Sequence, residues 1–254
     1  MQVYTCLPEN LDREFRREAE PSSQYTNCLD IERVERDVRS GAFEVVVVDP
    51  TEVTMSFVAR LQQAVAASAS TLILWTAFES NVLPVIVSAA KAARVEVFFR
   101  GDANELFVLR AWLRTHARDT VRAAVLRELT GSLESLNAEF AHTVLGVLLG
   151  RFRVNSVPAL LKARGLHARW FERQLESVGF CLGRRLLHLG RLITAFDAIT
   201  LGSDSVESAA SRSGYGSSRA LRISAHQFVD CTPSEFRRLA PHRFAERIVH
   251  ALQR

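Results

Sequence analysis

The stretch Ser205–Arg237, SVESAASRSGYGSSRALRISAHQFVDCTPSEFR, carries closely spaced signals for short helices. Ala210 is followed by Gly214-Tyr215, which reads as a helix closed by a glycine, the residue that takes a positive φ at least cost. Ser217 or Ser218 can open the next helix by accepting a bond from its free backbone N–H groups. Two short helices across a tight glycine turn make a helix-turn-helix, which places its second helix in the DNA major groove. Downstream, Cys231-Thr232-Pro233-Ser234-Glu235-Phe236-Arg237 predicts one more helix, capped at Thr232, with Pro233 at its first position and Glu235 at its third.

Working outward, Ala210, Gly214, Tyr215, Ser217, Leu221, Phe228 and Thr232 to Arg237 resemble the C-terminal DNA-binding domain of AraC/XylS-type transcription regulators, in register. The resemblance covers the chain from about Ser156 to its end. A weaker copy lies upstream, with Ser156-Val157 matching Ser205-Val206 and Gly165 matching Gly214. There Val157–Ala163 is the expected supporting helix and His167–Glu176 the recognition helix, after a Gly165-Leu166 turn. Between the copies, Leu182, Leu186, Leu189, Ile193 and Phe196 recur at intervals of four and three, a helix with one buried stripe. Arg191 and Ala195 fall on family positions within it. The resemblance implies that this helix holds both units rigidly, so that their recognition helices enter successive major-groove segments roughly 34 Å apart. The chain departs from the family pattern at Leu161, His167, Ala209, Ile223, Ala225 and Asp230.

On the first recognition helix Phe171 and Leu175 face the core, and Arg169, Glu172 and Arg173 lie on the other side. Arg169 and Arg173 are four apart and share a face, and either fork can bridge guanine O6 and N7. Trp170 either stacks on a sugar or thymine methyl or packs within the domain. On the second helix the matching exposed positions are Ser218, Arg219, Arg222 and Ile223. The resemblance implies DNA contact by Arg169, Trp170, Glu172, Arg173, Ser218, Arg219 and Arg222.

Of 254 residues, 48% are hydrophobic and 24% charged, which excludes a disordered chain. Residues 151–254 hold 17 Arg/Lys against 8 Asp/Glu, a charge of +9, whereas residues 1–150 hold 15 against 20, a charge of −5. A basic half beside an acidic one suits attraction of phosphates by one domain. Only Lys91 and Lys162 are lysines, so coding bias also contributes to the arginine content. No basic-apolar-small leader pattern is seen, and the apolar runs Val45–Val48 and Val144–Leu149 are far too short to span a bilayer. The expected location is therefore cytoplasmic, on the nucleoid, with no membrane partner. The cysteines (6, 28, 181 and 231) and the seven histidines show no metal-ligand spacing, so no metal and no cofactor is expected.

Residues 1–117 alternate short apolar runs with amphipathic ones. Strands are expected at Gln2–Cys6, Gln24–Cys28, Phe43–Val48, Thr71–Thr76 and Val95–Phe99. Helices are expected at Asn10–Glu20 (stopped by Pro21), Ile31–Arg39, Met55–Ala67, Val82–Ala93 and Ala103–Thr115. Five such repeats argue for an α/β domain with a five-stranded parallel sheet. Order and lengths resemble a response-regulator receiver, the flavodoxin-like fold. That resemblance puts Asp49 at the phosphoacceptor position, Thr76 at the end of the fourth strand and Arg100 where a receiver has lysine. Receivers also need an acid pair after the first strand to hold Mg²⁺. Here that stretch is Thr5-Cys6-Leu7-Pro8-Glu9, with one distant carboxylate. Arginine is a wider, planar donor than lysine, so Arg100 is no free substitute. Asp49, Thr76 and Arg100 thus read as a vestigial phosphoacceptor region in a pseudo-receiver.

Residues 118–150 predict two connecting helices, Thr120–Leu129 ended by Gly131, and a second capped at Ser132 with Glu134 in its first turn. The second carries Leu133, Leu136, Phe140, Val144 and Leu148 along one side. The expected organisation is a receiver-like domain (1–117), a helical linker (118–150) and an all-α domain with two helix-turn-helix units (151–254). The expected function is sequence-specific promoter binding through Arg169, Arg173, Arg219 and Arg222, regulated through the N-terminal domain. No nucleophile-base-acid set stands at motif spacing, so no enzymatic activity is expected. Partners would be double-stranded DNA, a second copy paired through the apolar Val82–Leu113 region, and RNA polymerase or another regulatory protein. Two alternatives stand beside it: a true two-component regulator phosphorylated on Asp49, and a protein-interaction factor with degenerate DNA binding. A small ligand at the sheet's C-terminal edge is a third, without a glycine-rich phosphate loop to support it.

Overall fold

Val45–Val48 are all buried, as residues of a strand covered on both faces must be. In the computed structural model they form β3, the centre of a five-stranded sheet. The structure describes residues 1–19, 23–92, 94–101, 103–115, 120–134, 136–152, 154–202 and 204–253. Pro21, expected to stop the first helix, and His116 lie outside them. The other strands are β1 (Gln2–Cys6), β2 (Gln24–Asn27), β4 (Thr71–Thr76) and β5 (Val95–Phe99). Every pairing is parallel and the order is β2-β1-β3-β4-β5, one of the two common doubly wound orders. The chain divides into two compact units, Met1–Ala123 and Ala124–Arg254.

In the first unit the strands alternate with α1 (Glu9–Glu18), α2 (Ile31–Arg39), α3 (Met55–Ala66), α4 (Leu83–Ala90) and α5 (Ala103–Thr115). Asp30 and Thr54 start α2 and α3 by accepting backbone N–H bonds, the role short polar side chains fill at a helix start. Register aligns the strand ends: Cys6 lies opposite Val48, Val48 opposite Leu74, and Thr76 opposite Phe99. The residues just beyond those strands therefore meet along one edge. In α4, Leu83, Ile86 and Val87 are buried within this unit. The apolar character of α4 thus serves the protein's own core.

The second unit is helical. The expected break at Gly131 does not occur. Instead α6 (Val121–Glu134) runs through Gly131 and Ser132, because a lone glycine at an open position costs a helix only about 1 kcal/mol. The next helix, α7 (Ala138–Leu148), starts at Asn137, whose side chain accepts from the Glu139 and Phe140 N–H groups. The residues expected as a linker are thus two helices, and α7 packs along a later one. There follow α8 (Val157–Arg164), α9 (Ala168–Ser177), α10 (Gly183–Thr200), α11 (Val206–Arg212), α12 (Ser218–Val229), a 3-10 turn (Pro233–Arg238) and α13 (Pro241–Leu252).

Helix α10 is the spine, touching α7, α8, α11, α12, the 3-10 turn and α13. Leu186, Leu189, Ile193 and Phe196 are buried along it as the periodicity requires, and Phe196 stacks on Phe244 at 4.2 Å. Leu182, expected in that stripe, is instead 73% exposed. It precedes the first helical turn, and Gly183 takes the inner place against Phe171 and Val157, where a Cβ would lie 3.2 Å from each. At Gly190 α10 and α7 approach so closely that a Cβ would lie 2.1 Å from the Val147 carbonyl oxygen. The helix expected after Thr232 forms as the 3-10 turn. Its Glu235 carboxylate accepts from the Thr232 N–H (2.6 Å) and hydroxyl (2.9 Å), bonds that hold its carboxyl below the usual range. Asp230 ends α12 at φ 45, ψ 48, a left-handed position that favours glycine. Arg247 fixes it there, donating to the Val229 and Asp230 carbonyls at 2.9 and 3.0 Å.

Candidate nucleic-acid interface

Both glycine turns form helix pairs within the second unit. In the first pair the Ser156 hydroxyl accepts from the Ala159 N–H at 3.3 Å, and Gly165 ends α8 at φ 65. The Leu166 N–H then donates back to the Leu161 carbonyl at 2.9 Å, closing the turn. Helix α9 starts at His167 without a side-chain cap bond. Its inner face is Phe171 and Leu175, 0% and 1% exposed, with Phe171 against Phe140 at 5.5 Å. Trp170 stands edge-on to the same Phe140 ring at 6.0 Å and is half-buried, so its ring serves packing. Arg169, Glu172 and Arg173 are exposed. The Arg173 Nε–H donates to the Arg169 carbonyl at 3.2 Å, one of its five N–H groups.

In the second pair Ser205 caps α11 through the Ser208 N–H, and Gly214 turns at φ 75. The Tyr215 N–H donates to the Ala210 carbonyl at 2.9 Å. Of the two candidate caps, Ser217 is the one, accepting from the Ala220 N–H at 3.2 Å, and Ser218 is the first helical residue. Leu221, Ser224, Ala225 and Val229 face inward. Arg219, Arg222 and Ile223 face out, and Arg222 pairs with Glu207 of α11 at 3.6 Å with both side chains mostly in water.

Two residues of α10 tie these pairs to the spine. Arg191 donates to the Asn155 side-chain oxygen at 3.3 Å, at the entry to α8, and its Nε lies 3.8 Å from where a Gly214 Cβ would stand. His188 faces the second pair: its carbonyl accepts from the Tyr215 hydroxyl and its Nδ1 lies 3.4 Å from the Ser224 hydroxyl. Burial, then the nearby Arg191 and Arg184 charges, hold its imidazole below the usual range, favouring the neutral ring.

At the sheet edge of the first unit, register brings Asp49 and Arg100 together. The Asp49 carboxylate is fully buried. One oxygen accepts from the Thr51 N–H (2.9 Å) and hydroxyl (2.7 Å), the other from Arg100 Nη2 (2.7 Å). The Arg100 guanidinium also lies over the Trp75 ring, 5.4 Å from its centroid. Thr76 is 0% exposed, its hydroxyl has no hydrogen-bond partner among the described residues, and its carbonyl accepts from the Arg100 N–H at 2.8 Å.

Compared with protein-family models, curated proteins and solved structures, the chain matches none.

Sequence reasoning passed over Asp12, an acid seven residues beyond Thr5. It is buried, with one oxygen accepting from the Thr5 hydroxyl at 2.5 Å and the other paired to Arg16 at 2.8 Å. Only the turn between β1 and α1 brings it there, and no spacing motif marks it. Glu207, the counter-charge to Arg222, was passed over for the same reason. A cleft of about 260 Å³ lies near the sheet edge, lined by Trp75, Phe98, Phe99, Glu18 and Glu105. Burial raises the Glu18 carboxyl pKa there. The cleft falls below the usual size for a cofactor pocket.

Proposed function

We propose that the chain is a DNA-binding transcription regulator whose helical unit reads promoter sequence with two helix-turn-helix pairs. The observation that carries this reading is the repeated arrangement on one spine: two capped helix pairs, each with an outward helix bearing two exposed arginines. These lie in the half of the chain with a charge of +9. Arg169 and Arg173 on α9, and Arg219 and Arg222 on α12, are the proposed contacts, with Glu172 and Ser218 beside them. Trp170 acts by holding α9 through Phe140. A second copy, and RNA polymerase or another regulatory protein, are the expected protein partners on the nucleoid.

The test is selection of duplexes by the full chain from a randomised pool, followed by titration of selected and random DNA at several salt concentrations. Selected duplexes should bind well above random ones. Each arginine that lies on a phosphate should lower affinity about three- to fourfold between 50 and 200 mM salt. Equal affinity for both pools, or binding indifferent to salt, overturns the proposal.

Under this reading the α/β unit takes its input without phosphorylation. Supporting this, both Asp49 oxygens are held by Thr51 and Arg100, and the carboxylate nearest β1, Asp12, is engaged by Thr5 and Arg16. Each oxygen of both acids is thus already engaged by a group of the protein, which a metal or phosphoryl group would have to share or displace. Incubation with Mg²⁺ and acetyl phosphate should therefore leave the mass and the DNA affinity of the chain unchanged. A stable phosphoryl adduct that Asp49→Asn abolishes would establish the two-component alternative.

A further inference from the structure

Ile223 is a large apolar residue that α12 leaves 57% exposed, although Leu221, Ala225 and Val229 of the same helix are fully packed. Helical spacing rings it with Arg219 and Gln227 four residues away, His226 three away and Arg222 adjacent, all exposed. The patch is thus one stiff, β-branched side chain at the centre of a cationic, hydrogen-bonding surface. Arg222 has Glu207 at 3.6 Å, but an apolar protein surface would offer Arg219, His226 and Gln227 no partners, whereas the major groove offers them phosphates and base edges. Among the groups that groove presents, the apolar one is the thymine C5-methyl.

We propose that Ile223 is a specificity-determining residue that reads a thymine through its methyl group, so that the second helix pair selects a T·A step. This rests on the DNA-binding reading and gives the second helix pair a base preference of its own. Arg219 and Arg222 flank the contact as donors to phosphate or guanine, and the isoleucine excludes water from the methyl.

The experiment uses duplexes selected by the full chain, remade with deoxyuridine in place of thymine one position at a time. This removes the methyl and keeps every hydrogen-bonding group. In the parent protein one position within the segment covered by α12 should lose about fourfold in affinity, the value of one buried methyl-sized group. Ile223→Ala, at an exposed site where folding is not at stake, should bind the thymine duplex about fourfold more weakly and no longer distinguish the two bases there. Ile223→Val should keep the distinction in part. If no position distinguishes uracil from thymine, or if the distinction survives in Ile223→Ala, the inference is overturned while DNA binding stands. If no duplex is selected at all, the DNA-binding reading falls and this one with it.

Discussion

Replacing Gly190 by alanine is expected to destabilise the helical unit by about 3 kcal/mol or more. The added Cβ would stand 2.1 Å from the Val147 carbonyl oxygen, 2.9 Å from its carbon and 3.3 Å from the Leu148 Cα. These are backbone atoms of α7, so no rotamer change relieves the clash. The two helices must separate, and separation loosens the core on both sides of α10. Helix propensity alone gives the opposite sign, since alanine is favoured over glycine by about 1 kcal/mol inside a helix. Gly131→Ala isolates that term: Gly131 is helical, and nothing among the described residues lies within 4 Å of an added Cβ. It should stabilise by about 0.5–1 kcal/mol. Denaturant melts read alongside hydrogen exchange of the α10 amides check both. A Gly190→Ala protein as stable as the parent would show that α7 and α10 are not locked in contact.

Arg173→Ala is expected to weaken binding to a selected operator by roughly ten- to hundredfold while sparing random DNA, as loss of a bidentate guanine contact does. Arg222→Ala should act more evenly on both and flatten the salt slope by about one unit. The ranking follows from how each helix is held. Helix α9 is anchored by Phe171 and Leu175, with Phe140 packed against both Phe171 and Trp170. Helix α12 is packed by Leu221, Ala225 and Val229, with no aromatic ring among its fully buried residues, and its Arg222 is drawn toward Glu207. Affinity for operator and random DNA at several salt concentrations decides it. Should Arg222→Ala prove the more sequence-selective loss, the second pair is the principal reader.

Local chemistry made much of this architecture legible in advance. Four valines in a row, Gly165 and Gly214 as helix stops, and the Thr232-Pro233 start each act through one or two residues. The structure shows all of them at work. The α/β unit with its parallel sheet and the helical unit follow from the same signals. Misreadings arose where two local rules compete. Gly131 reads as a stop, yet a lone glycine costs a helix interior only about 1 kcal/mol and is tolerated there. Leu182 fits the period of α10 but falls one residue before the helix begins, where Gly183 takes the packed place. At the sheet edge, Asp49 and Arg100 were each identifiable by position, but the ion pair between them depends on the alignment of β3 with β5 through β4. Asp12 and Glu207 are set by side-chain direction after folding, which no linear spacing encodes.

Asp230 has a consequence for how this chain can change over generations. An aspartate held in the left-handed region costs about 1 kcal/mol relative to glycine, and the Arg247 clamp on its carbonyl keeps the backbone there regardless. Aspartate codons differ from glycine codons by a single nucleotide, so relief of that strain is one mutational step away. The second helix pair thus has a small stabilising move within immediate reach. A lineage could use it to absorb a destabilising substitution on the outer face of α12, where new base preferences would arise.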